Sequence, residues 1–273
     1  MKKFITFVFI VLIIVGITGG CSNNDENNNS EISPEKELVV GMELAYPPFE
    51  MTDEKGNPTG ISVDLAYALG EYLGRPVKIE NMAYSGLIPS LTTKKIDLII
   101  SSMTITEDRK KTVDFSIPYS KAYLSLLISK DSPVEDFPDL NKQGVKVAVK
   151  KGTTGHIYAT ENLSDAEILV FEKENACVLE VVQGKADAFI YDQMTIFKNW
   201  KRYPDATKVQ LSPFQEDYEY WGIAMRKDEA ELKEKVNAFI NEYKENGGFD
   251  NLATKYLKEQ KEAFEEMNIP FFF

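Results

Sequence analysis

An internal repeat constrains this fold more than any other feature of the chain. Residues 95–102, KIDLIISS, align without gaps on residues 185–192, KADAFIYD. The segments ahead of them match as well, with Leu87, Ile88 and Leu91 opposite Cys177, Val178 and Val181. Each copy carries a short apolar run of the kind that a sheet buries on both faces. A chain that uses the same helix and strand twice is expected to build two similar βα halves. In this register Ser102 falls opposite Asp192, so one half presents hydroxyls where the other presents a carboxylate.

Ligands of open α/β sheets sit at the carboxyl ends of strands, so the residues just past each apolar run are candidates for a site. Past the first lie Ser101, Ser102 and Thr104, followed by Arg109. The planar guanidinium of Arg109 can grip a carboxylate through two parallel hydrogen bonds. Past the second lies Asp192. A zwitterion clamped between two lobes would use that asymmetry. Each residue also has a plainer reading, Arg109 as a solvated charge in the run EDRKK and Asp192 as the N-cap of the helix that follows. A third candidate is the turn KKGTTGH at residues 150–156. It joins a strand to a helix, so its N–H groups and the hydroxyls of Thr153 and Thr154 point at a natural place for an anion. It lacks the GxxxxGK[ST] spacing of a P-loop. His156, the one histidine, reads as a surface residue.

The remaining elements follow a βαβαβ order that occurs twice. The strand at 38–42 runs into GMELAYPPFE, where Pro47 and Pro48 stop regular structure and leave Glu43, Tyr46 and Phe49 in a loop at its carboxyl end. Ser62 reads as the N-cap of a helix closed by Gly74 and Pro76. Alternating runs at 119–129 and 218–225 read as strands, and helices at 228–244 and 249–258 close the fold. These last helices have no counterpart in the second repeat and are expected to return to the first, which requires two crossings. The expected division is a signal peptide at 1–20, a tether at 21–37, a first lobe at 38–118 plus 223–262, and a second lobe at 124–214. Hinge strands fall at 119–123 and 215–222, with a tail at 263–273. The tail ends in three phenylalanines and is expected to dock back on the body, because an exposed apolar end is a liability.

The chain begins MKK, followed by a charge-free apolar run over residues 4–17 and then Thr18, Gly19, Gly20 and Cys21. That is a secretory signal, too short and too abruptly ended by small residues for a good membrane span. A small-residue stretch ending at cysteine resembles the lipobox of bacterial lipoproteins, although Thr18 stands where leucine is favoured. The resemblance implies lipidation of Cys21. Residues 22–37 are polar and asparagine-rich and cannot bury enough surface to fold. With Cys21 lipidated, Cys177 is left alone and reads as a core residue of a helix. The 273 residues carry a net charge of −12, and no Lys/Arg stripe interleaves with aromatics, which argues against nucleic acid. There is no HExxH, no GxSxG and no cysteine pairing suited to zinc, so no metal site, cofactor or catalytic residue is expected.

With GMELAYPPFE, GLIPSL, KIDLIISSMTITEDRK, VDFSIPY, KKGTTG, KADAFIYD and WGIAMRKDEAELK in this order, the chain resembles the extracellular solute-binding proteins of family three over about residues 38–260. These are amino-acid receptors of ABC importers. The resemblance implies an α/β, two-lobe, periplasmic-binding-protein-like (type II) fold with two hinge crossings, closing on one amino acid. It further implies that Arg109 holds the α-carboxylate with help from Thr104 and the backbone around Thr154. Asp192 and the groups near Ser102 would hold the α-ammonium. Tyr46 and Tyr84 would pack against the ligand side chain, with Ser101 and Lys150 at the rim. Glu43 is a departure, since amino-acid binders of this family often carry aspartate there. The implied protein is a monomer anchored by lipid to the cell membrane, facing the extracellular or periplasmic side and serving an ABC permease and ATPase. The alternative on the same fold is an enzyme resembling cyclohexadienyl or arogenate dehydratases, for which Glu43, Glu174 or Asp192 could serve as the acid.

Overall fold

The structure is a computed structural model in which residues 36–213 and 218–271 are described. The expected signal segment, Cys21 and most of the expected tether lie outside the described residues, as do Phe272 and Phe273.

The elements run in chain order as β1 (Leu38–Met42), β2 (Met51–Thr52), β3 (Pro58–Thr59), α1 (Ile61–Leu73), β4 (Val77–Asn81), α2 (Leu87–Thr92), β5 (Leu98–Ile99), α3 (Glu107–Lys110) and β6 (Asp114–Phe115). Then come β7 (Ser120–Ala122), β8 (Leu124–Ser129), β9 (Lys146–Lys150), α4 (Thr154–Asn162), β10 (Glu167–Phe171), α5 (Glu174–Val182), β11 (Ala188–Asp192), α6 (Gln193–Arg202) and β12 (Thr207–Gln210). The chain closes with β13 (Glu219–Trp221), β14 (Ala224–Met225), α7 (Ala230–Glu245), α8 (Gly248–Tyr256) and α9 (Lys258–Glu266).

Two five-stranded sheets result, ordered β4-β1-β5-β14-β6 and β10-β9-β11-β8-β12. The repeat strands β5 and β11 occupy the same place in each, between a parallel neighbour (β1, β9) and an antiparallel one (β14, β8). Leu98, Ile99, Phe189 and Ile190 are fully buried, as strands covered on both faces must be. The repeat extends to its aspartates. Asp97 Oδ2 accepts from Val39 N at 3.1 Å and Asp187 Oδ2 from Lys146 N at 2.8 Å, while the aspartate N–H groups donate back to Val39 O and Lys146 O. Each half thus pins the start of its leading strand by the same reciprocal pair.

The chain leaves the first sheet after β6 and enters the second at β8, returning from β12 to β14. Both passages run through a separate two-stranded antiparallel ribbon in which Ser120, Lys121 and Ala122 of β7 face Trp221, Tyr220 and Glu219 of β13. The alternating runs read from sequence are therefore each divided, β7 from β8 and β13 from β14. Helices α7 and α8 pack on α1 beside the first sheet. Beyond the expected helices the chain forms α9, whose Phe264 is fully buried and meets Phe197 of α6 edge-on at 5.2 Å. Phe271 packs on Phe264 at 6.2 Å. Ser62 is not the cap of α1. Gly60 holds that position at φ 119, where a Cβ would lie 2.4 Å from Phe49 O, and the Ser62 hydroxyl turns inward to Glu50.

Candidate functional site between the lobes

The strand ends of both sheets meet at one cleft, and the loops after β1, β5, β9 and β11 supply most of its wall. Nine of the ten ligand-site residues read from sequence line it: Glu43, Tyr46, Tyr84, Ser101, Ser102, Thr104, Thr153, Thr154 and Asp192. Arg109 stands just behind this surface. It is buried at 7% exposure rather than solvated. Its Nη1 donates to Thr104 O at 2.6 Å and its Nη2 to Gly152 O at 2.9 Å, so it ties the end of β5 to the turn before α4. The Tyr84 ring covers the guanidinium at 5.8 Å. Five N–H donors serve two carbonyls here, which leaves donors for an anion.

The turn into α4 places its hydroxyls differently from one another. Thr153 Oγ1 donates back to Lys150 O at 2.8 Å, closing the turn. Thr154 Oγ1 points into the cleft and donates to Glu219. Gly155, in the first turn of α4, packs against β11, where a Cβ would lie 2.6 Å from Ile190 O.

Asp192 both caps a helix and lines the cleft. Its Oδ1 accepts from Met194 N at 2.9 Å and Thr195 N at 3.0 Å, capping α6, and the residue also lines the cleft. Burial pushes its carboxyl above the usual range, against the pull of those N–H donors. Glu174 lies close enough to repel it and is raised to about 7, by burial first and the Asp192 charge second.

Lys150 does not sit at a rim. It is 2% exposed and forms an ion pair with Glu43, joining the end of β9 in the second lobe to the loop after β1 in the first. The Tyr84 and Tyr191 rings lie 5.4 and 5.8 Å from its ammonium. The longer Glu43 side chain in place of aspartate therefore reaches across the cleft to a cation. Ser101 is likewise buried and donates to Glu50, while its Oγ accepts from Glu43 N.

Glu50, Tyr191, Glu219 and Trp221 shape the site and were not singled out from sequence. Glu50 is 1% exposed and accepts hydrogen bonds from Ser62, Ser101 and Ser102. Burial raises its carboxyl to about 8, with the three hydroxyls and Lys150 opposing. It holds the turn where Ser102 adopts φ 47, a costly conformation for a residue with a Cβ. Glu219 and Trp221 come from the ribbon strand β13 and form the floor, the Trp221 indole meeting Phe49 at 4.9 Å and Tyr46 at 6.2 Å. The signal for Glu50 was its place two residues after Pro48 in the same loop as Glu43.

Among the described residues no group of three or more His, Cys, Asp or Glu side chains has metal-binding geometry, and no helix is long and apolar enough to cross a membrane.

Comparison with known proteins gives a consistent result. Residues 38–259 match bacterial extracellular solute-binding proteins, family 3. The L-arginine-binding protein of Pseudomonas aeruginosa is 33% identical over 231 residues, covering 82% of this chain and 88% of that protein. The L-cystine-binding protein TcyJ of Escherichia coli is 28% identical over 252 residues, covering 92% and 93%. Among solved structures, the ancestral amino-acid-binding protein AncCDT-1, described as a precursor of cyclohexadienyl dehydratase, superposes with a TM-score of 0.73 at 39% identity, covering 81% of this chain and 96% of that one. That neighbour is itself an amino-acid-binding protein, so it does not favour a dehydratase here.

Proposed function

The chain belongs to the bacterial extracellular solute-binding proteins of family 3, and from that premise we propose that it captures a free amino acid outside the cell for an ABC importer. The observation that carries this reading is one cleft with opposite charges on its two sides. Arg109, with the hydroxyls of Thr104 and Thr154, forms an end suited to an α-carboxylate; Asp192, with the groups around Ser102, forms an end suited to an α-ammonium. Burying a zwitterion is costly unless both charges find partners, and this arrangement provides both once the lobes close. Closure is driven by contacts that exist only in the closed state. Tyr46, Tyr84 and Tyr191 would then wall the ligand side chain, with the Glu43–Lys150 pair beside it. Lipid on Cys21 would hold the protein at the membrane, and a permease and ATPase would take the ligand onward.

The test is thermal unfolding of the full chain, stripped of carried-over ligand through denaturant, against the twenty amino acids, cystine and ornithine. A ligand at about a thousand times its Kd adds roughly 4 kcal/mol, a shift on the order of ten degrees for a body of this size. A large shift with one amino-acid class, lost in Arg109→Ala, supports the reading. No shift with any amino acid overturns it.

A further inference from the structure

The amino-acid reading leaves one carboxylate at the cleft without a role. Glu219 lies on β13, paired with Ala122 of β7, in the ribbon between the lobes. Side chains alternate along a strand, so Glu219 and Trp221 face the cleft together while Tyr220 faces solvent at 46% exposure. Glu219 Oε2 accepts from Thr104 Oγ1 at 3.1 Å and from Thr154 Oγ1 at 2.9 Å, one hydroxyl from each lobe. Both belong to the end of the cleft assigned above to the ligand's α-carboxylate. Burial raises the Glu219 carboxyl above the usual range, with the Thr154 and Thr104 hydroxyls and the Arg109 charge opposing.

A hydroxyl has one hydrogen to donate. Thr104 and Thr154 cannot direct theirs to Glu219 and to an incoming carboxylate at once, and two carboxylates this close repel. We propose that Glu219 is a built-in competitor for the ligand, its carboxylate filling the anion site of Thr104, Thr154 and Arg109 until an amino acid displaces it. The proposal rests on the reading of that site as the α-carboxylate clamp. It has two consequences. The apparent affinity for any ligand is reduced by the fraction of molecules whose site Glu219 occupies. The same contact also bridges the lobes, alongside the Arg109 hydrogen bond to Gly152 O and the Lys150–Glu43 pair. A ligand lacking a carboxylate cannot replace Glu219 at this site, so the device selects for free amino acids over amines.

The experiment uses the full chain, stripped of ligand, as wild type, Glu219→Ala and Glu219→Gln. Calorimetric titration with the amino acid found in the unfolding panel reads the Kd, and small-angle scattering of the ligand-free proteins reads their radius of gyration. If Glu219 occupies its site in about nine molecules of ten, the alanine variant binds about tenfold tighter. The glutamine variant, which keeps an acceptor oxygen but loses the charge, falls between. The ligand-free alanine variant has a larger radius than wild type. An unchanged Kd in both variants overturns the proposal. A weaker Kd does so as well, because it makes Glu219 a ligand contact. If no amino acid binds the wild type, the reading of function falls and scattering decides alone: an unchanged radius overturns the bridging role, and expansion upholds it.

Discussion

Replacing Glu50 by glutamine should remove a pH-dependent loss of stability. The carboxyl is raised from 4.5 to about 8 in the fold, chiefly by burial. Between those values the folded protein keeps a proton on Glu50 that the unfolded chain releases, so unfolding sheds protons and stability falls as pH rises. The contribution is complete below about pH 4.5 and gone above about pH 8. At about 1.4 kcal/mol per unit, the gap amounts to roughly 4–5 kcal/mol across the window. Glutamine has the same shape and does not titrate. Its oxygen can accept from Ser62, Ser101 or Ser102, whose hydroxyls lie 2.6 to 3.3 Å from the carboxylate. Urea unfolding of the ligand-free full chain should therefore give similar free energies for wild type and Glu50→Gln at pH 5. By pH 8.5 the variant should be several kcal/mol the more stable. Glu174, raised to about 7, tilts both proteins in the same direction and cancels in the comparison. Parallel curves for the two proteins from pH 5 to 8.5 would refute the reasoning.

Asp192→Asn should separate the two roles of that residue, because asparagine caps helices about as well as aspartate. Stability should change by less than about 1 kcal/mol in urea unfolding while ligand affinity, read by titration, falls about ten- to hundredfold with the lost charge. Lys150→Met leaves Glu43 without its cation and should cost up to about 3–5 kcal/mol in the same unfolding assay, most of it restored by adding Glu43→Gln. Phe264→Ala empties a space between Phe197 and Phe271 and should cost about 3–5 kcal/mol, with a lower urea midpoint as the readout.

What the sequence revealed and what it hid follow from chain distance. The repeat at 95–102 and 185–192 is a local pattern, and its strands take equivalent central places in the two sheets. Asp192 is the last residue of β11, and Thr104, Arg109 and Thr154 follow the ends of β5 and β9, where proximity in sequence implies proximity in space. Glu219 lacks that advantage. It reaches Thr104 across 115 residues and Thr154 across 65 through a ribbon strand whose alternating pattern says nothing of which sheet it joins. The pairing of Lys150 with Glu43 spans 107 residues and exists because the lobes meet. Ser62 illustrates competition between local and distant partners. A serine at a helix start suggests a cap, but the Ser62 hydroxyl donates to a buried carboxyl at 2.6 Å instead of serving the helix end. Helix α9 escaped notice because its run KEQKEAFEE is almost entirely polar and carries a single large anchor, Phe264.

The ribbon of β7 and β13 gives the cleft a floor that belongs to neither sheet. Trp221, edge-on against Phe49, is tied to the first-lobe loop, whereas Lys150 meets Glu43 where the two walls touch. Capture therefore divides in time. Arrival depends on what the floor and first wall present to solution, and so sets the association rate. Departure waits on the separation of groups such as Lys150 and Glu43, and so sets the residence time. Substitutions on the second wall should accordingly alter how long a ligand stays far more than how often it arrives.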